Sequence, residues 1–340
     1  MHTTCRRAAG CEEKRIGTIK DSLGREIDYL RISVTDRCNL RCRYCMPEEG
    51  VKPLRHEEIL SYEELLYICR ILTGLGVRSF KVTGGEPLVR RGICGFIAAL
   101  KAAEGVERVT LTTNGILLAE HMTELLRAGI DGVNLSLDSL DRRRYAEITR
   151  RDFLPAVLRG LEAARALPAF RLKLNCVILP DSAEDWLKLA DLAGDREIAV
   201  RFIERMPLGG AGNFELTPEA EVRSVLESAY GPLIPVERRL GPGPAVYYRP
   251  EGFKGLIGFI SAMSHKFCRS CRRLRLTSAG FLKTCLQYEA GVNLRPLLAE
   301  GAERLRQAAA EAIYRKPAEH FFDISELPQR ERAAMNRIGG

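Results

Sequence analysis

Eleven cysteines stand in a chain of 340 residues, and six of them form two short groups spaced like ligands rather than like core residues. The first is Cys38, Cys42 and Cys45, a C-x₃-C-x₂-C run carrying Asn39, Arg41 and Arg43 between its thiols. Cysteines that only fill a core have apolar neighbours, and these do not. Three thiolates on so short a loop can surround one face of a cuboidal iron–sulfur cluster and leave a fourth iron open to substrate. A tetrahedral zinc asks for a fourth Cys or His nearby, and none is adjacent. The second group is Cys268, Cys271 and Cys285. Its spacing fits another open cluster or a zinc ribbon completed by His265, and spacing alone leaves both open. Cys69, Cys94 and Cys176 fall on apolar faces and are expected in the core, whereas Cys5 and Cys11 are expected as free surface thiols.

Periodicity indicates the elements that must position these groups. Strands are expected at Tyr29–Thr35, Ser79–Thr83, Arg108–Thr112, Gly132–Leu137, Arg171–Ile178 and Ile198–Ile203. Helical patterns fall at Ser61–Leu75, Ile93–Ala102, Leu117–Ala128, Leu154–Ala166, Asp185–Leu192 and Thr217–Tyr230. Such alternation implies parallel pairing through right-handed crossovers. Six units fall short of the eight in a closed (β/α)₈ barrel, so the economical α/β architecture is an incomplete (β/α)₆ TIM-type barrel. A doubly wound sheet is the alternative. Gly231-Pro232 and Gly241-Pro242-Gly243-Pro244 mark a seam. Beyond it, strand-like runs at Ala245–Tyr248 and Leu256–Ile260 and a helical stretch at Leu297–Tyr314 read as a small cluster-binding region capping the mouth. The expected division is a flexible N-terminal arm over 1–25, the partial barrel over 26–235, the second-cluster region over 236–330, and a tail over 331–340.

Composition narrows the partners. Fifty-two Lys and Arg against 44 Asp and Glu give a formal +8, which suits an anionic partner such as a polyphosphate, a nucleic acid or a membrane surface. No run approaches the ~20 apolar residues of a membrane span. The first residues carry no apolar h-region, so the expected location is the cytoplasm. There disulfides are rare, and an odd cysteine count argues against a disulfide framework. Aromatics make up 7% of the chain and interleave with no basic stripe, which argues against nucleic acid. Two rival classes remain: an enzyme acting on RNA or a peptide, and a zinc-dependent nucleic-acid-binding protein.

With Tyr44 just before the third cysteine, the first group resembles the radical S-adenosylmethionine superfamily. Thr83-Gly84-Gly85-Glu86-Pro87 is similar to its GGEP loop, where backbone groups receive the cofactor's ammonium and a carboxylate complements a cation. Further stretches narrow the resemblance to the family of molybdenum cofactor biosynthesis protein A, the GTP 3′,8-cyclases, from about Leu23 to Gly340. They are Leu30–Cys38, Leu111–Gly115, Asn134–Asp138, Arg201–Pro207, Phe267–Leu276 with Cys285, and Gly339-Gly340. The resemblance implies two 4Fe-4S clusters, one on Cys38, Cys42 and Cys45 and one on Cys268, Cys271 and Cys285. It implies S-adenosylmethionine at Tyr44, Gly85, Ser136 and Met206, and GTP at Arg31, Lys81, Thr112, Lys173, Arg273, Leu274 and Arg275. Leu274 can offer only main chain or packing. Arg273, Arg275, Gly339 and Gly340 are the catalytic candidates. The implied reaction is hydrogen abstraction from the ribose C3′ of GTP and closure onto guanine C8, the first step of molybdenum cofactor (molybdopterin) biosynthesis. The implied partners are an external electron donor, a second copy in a homodimer, and a downstream cyclic pyranopterin monophosphate synthase. Arg272, where a small polar residue is frequent, and Lys81, where Arg is common, depart from the family pattern.

Overall fold

A computed structural model describes residues 17–167, 170–208, 216–322, 331 and 333–339. In chain order the strands are β1 (Tyr29–Ser33), β2 (Ser79–Thr83), β3 (Arg108–Thr113), β4 (Val133–Ser136), β5 (Leu172–Val177) and β6 (Ala199–Ile203), then β7 (Ile234–Val236), β8 (Val246–Arg249), β9 (Leu256–Ile260), β10 (Arg273–Leu276), β11 (Phe281–Lys283) and β12 (Gly291–Asn293). The helices are α1 (Tyr62–Gly74), α2 (Ile93–Lys101), α3 (Leu118–Arg127), α4 (Arg142–Thr149), α5 (Leu154–Arg165), α6 (Ala183–Asp191), α7 (Glu219–Tyr230), α8 (Ala302–Tyr314) and α9 (Met335–Ile338).

One sheet holds all these strands in the order β12-β11-β10-β1-β2-β3-β4-β5-β6-β9-β8-β7. From β10 to β9 every pairing is parallel. Antiparallel pairs finish both edges. Strands β1 to β6 lie in sequence order, without the reversal a doubly wound sheet requires. Among the described residues no pairing joins the ends, so the barrel is open. The strands beyond the seam extend it at both sides.

Strand period explains which residues face inward. On β3 and β5, buried and half-buried residues alternate along the whole strand. The apolar set, including Phe80, Val109, Leu111, Leu135, Leu174 and Phe202, is buried in one core against the helices. The opposite set is polar and lines the lumen. Helix α1 starts at a capping box in which Ser61 and Glu64 satisfy each other's backbone amides. Cys69, Cys94 and Cys176 are in the core as expected. Cys5 and Cys11 lie outside the described residues.

The last part of the expected flexible arm is fastened to the fold. Ile19 donates its amide to Leu75 O at 2.9 Å, and the buried Asp21 and Arg25 bond each other at 2.5 Å. Helix α4 was not expected from periodicity. Its run Arg142-Arg143-Arg144 offers no apolar stripe in the first turn.

Candidate functional site

The first cysteine loop leaves the C-terminal end of β1 and is held by four neighbours. Arg41 and Arg43 donate their amides to Thr149 O (3.0 Å) and Ile148 O (2.9 Å) at the end of α4. Arg150, just past that helix, donates its guanidinium to Arg41 O and Met46 O at 3.1 Å each. Asn114, after β3, donates to Asn39 Oδ1 at 2.7 Å. The Gly84-Gly85 turn lies against the loop entrance, with Gly85 N on Thr35 O at 2.7 Å and Glu86 N on Arg37 O at 2.8 Å. A Cβ on Gly85 would lie 2.3 Å from Arg37 O, so only glycine permits this approach.

Cys38, Cys42 and Cys45 are free half-buried thiols. Burial raises Cys38 to about 11 and Cys45 to about 12, and the charges of the group reinforce the rise at Cys45 and Cys42. Three buried thiols on one loop, whose ionisation burial opposes, form a soft donor set of the kind that suits an iron–sulfur cluster. Tyr44 donates its hydroxyl to Asp138 Oδ2 at 2.8 Å, and Asp138 Oδ1 accepts from Val177 N at 2.8 Å, so the phenol is fixed from β4 and β5. Ser136 ends β4 facing the lumen, in register with Asn175.

Glu86, the carboxylate of the Gly84-Gly85 turn, is engaged within the protein. Its Oε1 accepts from Leu88 N (3.0 Å) and Thr113 Oγ1 (2.8 Å), and its Oε2 from Asn114 N (2.7 Å). Burial pushes the carboxyl up to about 7 against these donors. All of its bonding is internal: it ties the β2 loop to the β3 loop.

The second group lies at the other end of the strands. Cys268 and Cys271 precede β10, whose first residue Arg273 pairs with Tyr29 at the start of β1. The antiparallel β10–β11 hairpin then brings Cys285 back to the same level. All three thiols line one cavity of about 110 Å³ with Arg31, Arg275, Met206 and Lys316. Burial opposes ionisation of Cys271, but Arg273 and Lys316 outweigh it and bring the thiol down to about 6. Lys316 is itself fixed, donating to Arg273 O at 2.9 Å and to Thr284 O. His265, the fourth ligand of the alternative zinc ribbon, is exposed and does not line the cavity that holds these thiols. Arg272 is tied to Asp28 at 2.6 Å and fixes the start of β10, a structural use of that departure.

Between the two groups, at opposite ends of the strands, runs a lumen lined by cations. Sheet register sets Arg275, Arg31 and Lys81 side by side on β10, β1 and β2. Lys81, Lys173, Arg201 and Arg273 line a cavity of about 620 Å³, a volume in the range of small-molecule sites. Burial drives Lys81 well below its ordinary value, and Arg31, Arg201, Lys173 and Arg273 push the same way. Arg201 donates to Asn134 Oδ1 (2.8 Å) and Asn175 Oδ1 (2.5 Å). The Nε atoms of Arg31 and Arg201 are buried without an acceptor, donors of the kind a polyanion satisfies. Thr112 stands on β3 in register with Asn134. Leu274 turns its side chain into the core, away from the cations. Gly339 reaches the lumen: its carbonyl accepts from Arg275, and a Cβ on it would lie 3.1 Å from Ser33 Cβ. Gly340 lies outside the described residues. Arg108, Asn175 and Arg201 were not singled out from sequence. The signal was the recurrence of polar residues at every second position of β3 and β5, and a lone Arg201 in the otherwise apolar β6.

Comparisons with known proteins agree with this geometry. The model for the radical SAM superfamily matches residues 32–193, and the model for Molybdenum Cofactor Synthesis C matches residues 198–322. A GTP 3′,8-cyclase of Pelotomaculum thermopropionicum is 43% identical over 328 residues, covering 95% of this chain and 100% of that relative. One from Moorella thermoacetica is 42% identical over 327 residues, with the same coverage. Among solved structures, Streptococcus suis SuiB bound to S-adenosylmethionine aligns with a TM-score of 0.53 at 19% identity, over 76% of this chain and 60% of that one. SuiB bound to its precursor peptide SuiA aligns at 0.56 and 16% identity, over 90% and 67%. At such identities the likeness carries the fold alone. Among the described residues no helix is long and apolar enough to cross a membrane.

Proposed function

The chain belongs to the GTP 3′,8-cyclase family of radical S-adenosylmethionine enzymes, and from that membership we propose that it is a lyase converting GTP to (8S)-3′,8-cyclo-7,8-dihydroguanosine 5′-triphosphate, the first step of molybdenum cofactor biosynthesis. One observation carries the reading: two thiol triplets at opposite ends of one cation-lined lumen. The cofactors are two 4Fe-4S clusters and S-adenosylmethionine. Cys38, Cys42 and Cys45 would hold one cluster, and Cys268, Cys271 and Cys285 the other. When bound, the first cluster supplies reductive cleavage of S-adenosylmethionine and hence an acceptor for a hydrogen atom.

The chain's own residues bind, orient and exclude. Gly85 lets the β2 loop lie against the entrance to the cysteine loop, so its backbone groups can meet a bound cofactor closely. Tyr44, held by Asp138, and Ser136 would flank that cofactor, and Met206 would border both ligands from beyond β6. Arg31, Lys81, Thr112, Lys173, Arg273 and Arg275 would clamp GTP, with Leu274 contributing main chain only. Arg201 belongs with this set. Holding the nucleotide from several sides would fix its ribose against its base and so orient the intramolecular C3′-to-C8 closure. Arg275 and Gly339, joined by a hydrogen bond, would close the lumen against water beside the reacting ring. The tail would include Gly340. We place the radical-supplying part over 26–235, the second-cluster part over 236–330 and the tail over 331–340. An external electron donor, a homodimer and a downstream cyclic pyranopterin monophosphate synthase complete the proposal.

The substrate and the proposed product are isomers, which makes the test specific. Anaerobically reconstituted protein, given a reductant, S-adenosylmethionine and GTP deuterated at C3′, is expected to yield deuterated deoxyadenosine and a nucleotide isomeric with GTP. Deoxyadenosine without deuterium, or GTP recovered unchanged, contradicts the reading.

A further inference from the structure

Beside the lumen lies a second cavity of about 340 Å³. The two share Arg108, Lys173, Arg239 and Leu240. The outer cavity is otherwise rimmed by Arg171, Arg238, Arg249 and Lys254, all exposed, and Glu197 is the one carboxylate among its described lining residues. Among the described residues, the side chains of these four cations and of Arg239 make no ion pair or hydrogen bond. Elsewhere on the surface arginines pair with nearby carboxylates, as Arg142 does with Asp152 and Arg306 with Glu303. Five unpaired cations around one concavity repel one another, a cost that a bound polyanion removes.

Inner and outer cavities meet at Leu240-Gly241. Lys173 Nζ donates to Leu240 O at 2.5 Å. Gly241 sits at φ +153°, and a Cβ there would lie 3.6 Å from both Arg108 Nη1 and Lys173 Nζ. A side chain at 241 would stand between Arg108 and Lys173, two of the three cations that face both cavities. Pro242 and Pro244 stiffen the strap that follows.

We propose that this outer basin is an anion subsite where the polyphosphate of the incoming nucleotide docks before it passes beneath Leu240-Gly241 into the lumen. The inference rests on the nucleotide reading above. Lys173 then exchanges one acceptor for another, releasing the Leu240 carbonyl and taking a phosphate oxygen. No bond is made or broken in this handover. The basin acts on association, because radical chemistry inside the lumen is reached only after the nucleotide has left it.

The test uses the holoenzyme and the variant Arg238→Ser/Arg249→Ser/Lys254→Ser, whose three sites are exposed and lie outside the lumen. The association rate of radiolabelled GTP at low salt, measured by rapid filtration, is expected to fall roughly 10-fold in the variant, with kcat within about 2-fold of wild type, and its dependence on salt to flatten. Inorganic tripolyphosphate, followed by calorimetry, is expected to bind at two sites per chain in the wild type and at one in the variant. An unchanged association rate with an unchanged salt dependence overturns the subsite, as does equal tripolyphosphate stoichiometry in both proteins. If the wild type binds two tripolyphosphates yet converts no GTP, the reaction assigned above fails and the subsite stands.

Discussion

The amide of Met335 donates to the carbonyl of Cys45 at 3.3 Å, joining the end of the chain to the first cysteine loop. Asn336 adds a bond from Nδ2 to Asp36 O at 2.8 Å, and Arg337 approaches the Asp36 carboxylate at 3.7 Å. Beyond them the Gly339 carbonyl meets Arg275 on β10. The tail is therefore pinned at two places, on the first cysteine loop and, beside Ser33 and Thr83, on Arg275 inside the lumen.

Asn336→Ala tests the first pin. Losing a buried hydrogen bond and leaving its acceptor unpaired costs about 1–2 kcal/mol, roughly 10-fold in the docked population. GTP conversion is expected to fall about 5–10-fold while iron content stays at the wild-type level, and the tail amides should exchange faster with solvent. Faster exchange with undiminished turnover would remove the tail from the catalytic assembly.

Arg25 plays the matching part for the second group. It donates to Cys268 O and Ala318 O at 2.9 Å each and to Pro317 O at 2.7 Å, and it pairs with the buried Asp21 at 2.5 Å. Arg25→Ala leaves that carboxylate buried without its partner, a loss of about 3–5 kcal/mol in typical cases. Iron and sulfide in the reconstituted variant are expected to drop from two clusters per chain towards one, with Arg25→Lys intermediate. Full iron content in Arg25→Ala would show that the Cys268 loop needs no such clamp.

Much of this was legible in the sequence because the informative signals are local. The thiol triplets, Gly84-Gly85 and the six apolar strand runs each declare themselves within a few residues, and the six strands end within two residues of their expected bounds. What escaped depends on pairing at a distance. Strand β10 reads Arg-Leu-Arg-Leu and has meaning only once β1 lies beside it. Arg108 and Arg201 look like ordinary surface charges until sheet register turns them inward. The internal role of Glu86 was hidden because a lone carboxylate in a glycine turn gives no hint that its own loop and the loop after β3 both donate to it.

Glu86→Gln separates that internal role from one as the cofactor's counter-ion. The amide replaces one acceptor oxygen with a donor group facing Leu88 N, Thr113 Oγ1 or Asn114 N, and an unsatisfied buried pair costs about 1–3 kcal/mol. Thermal stability is expected to fall by that amount, while the folded holoenzyme binds S-adenosylmethionine within about 3-fold of wild type, as measured by equilibrium dialysis. A loss of affinity of roughly 100-fold with stability intact would make the carboxylate the cofactor's counter-ion.

The lumen cations set a pH dependence of opposite sign for stability and for binding. Burial, then the charges of Arg201, Arg108 and Arg171, bring Lys173 down from its ordinary 10.5 to about 7. Lys81 is moved in the same direction by burial and its cationic neighbours. Between pH 7 and 10.5 the unfolded chain therefore holds a proton at residue 173 that the folded chain has released, and ligand-free stability rises with pH across that window. A polyphosphate beside the ammonium favours its charged form, so GTP binding takes up a proton there and weakens as pH climbs above about 7. Ligand-free Tm is expected to increase from pH 7 to 9 while the increment that GTP adds to Tm shrinks. Calorimetry at pH 8 in buffers of different ionisation enthalpy should register uptake of about one proton or more per GTP, reduced in Lys173→Met. Proton release on binding, or a GTP increment that grows with pH, would place the phosphates away from Lys173 and Lys81.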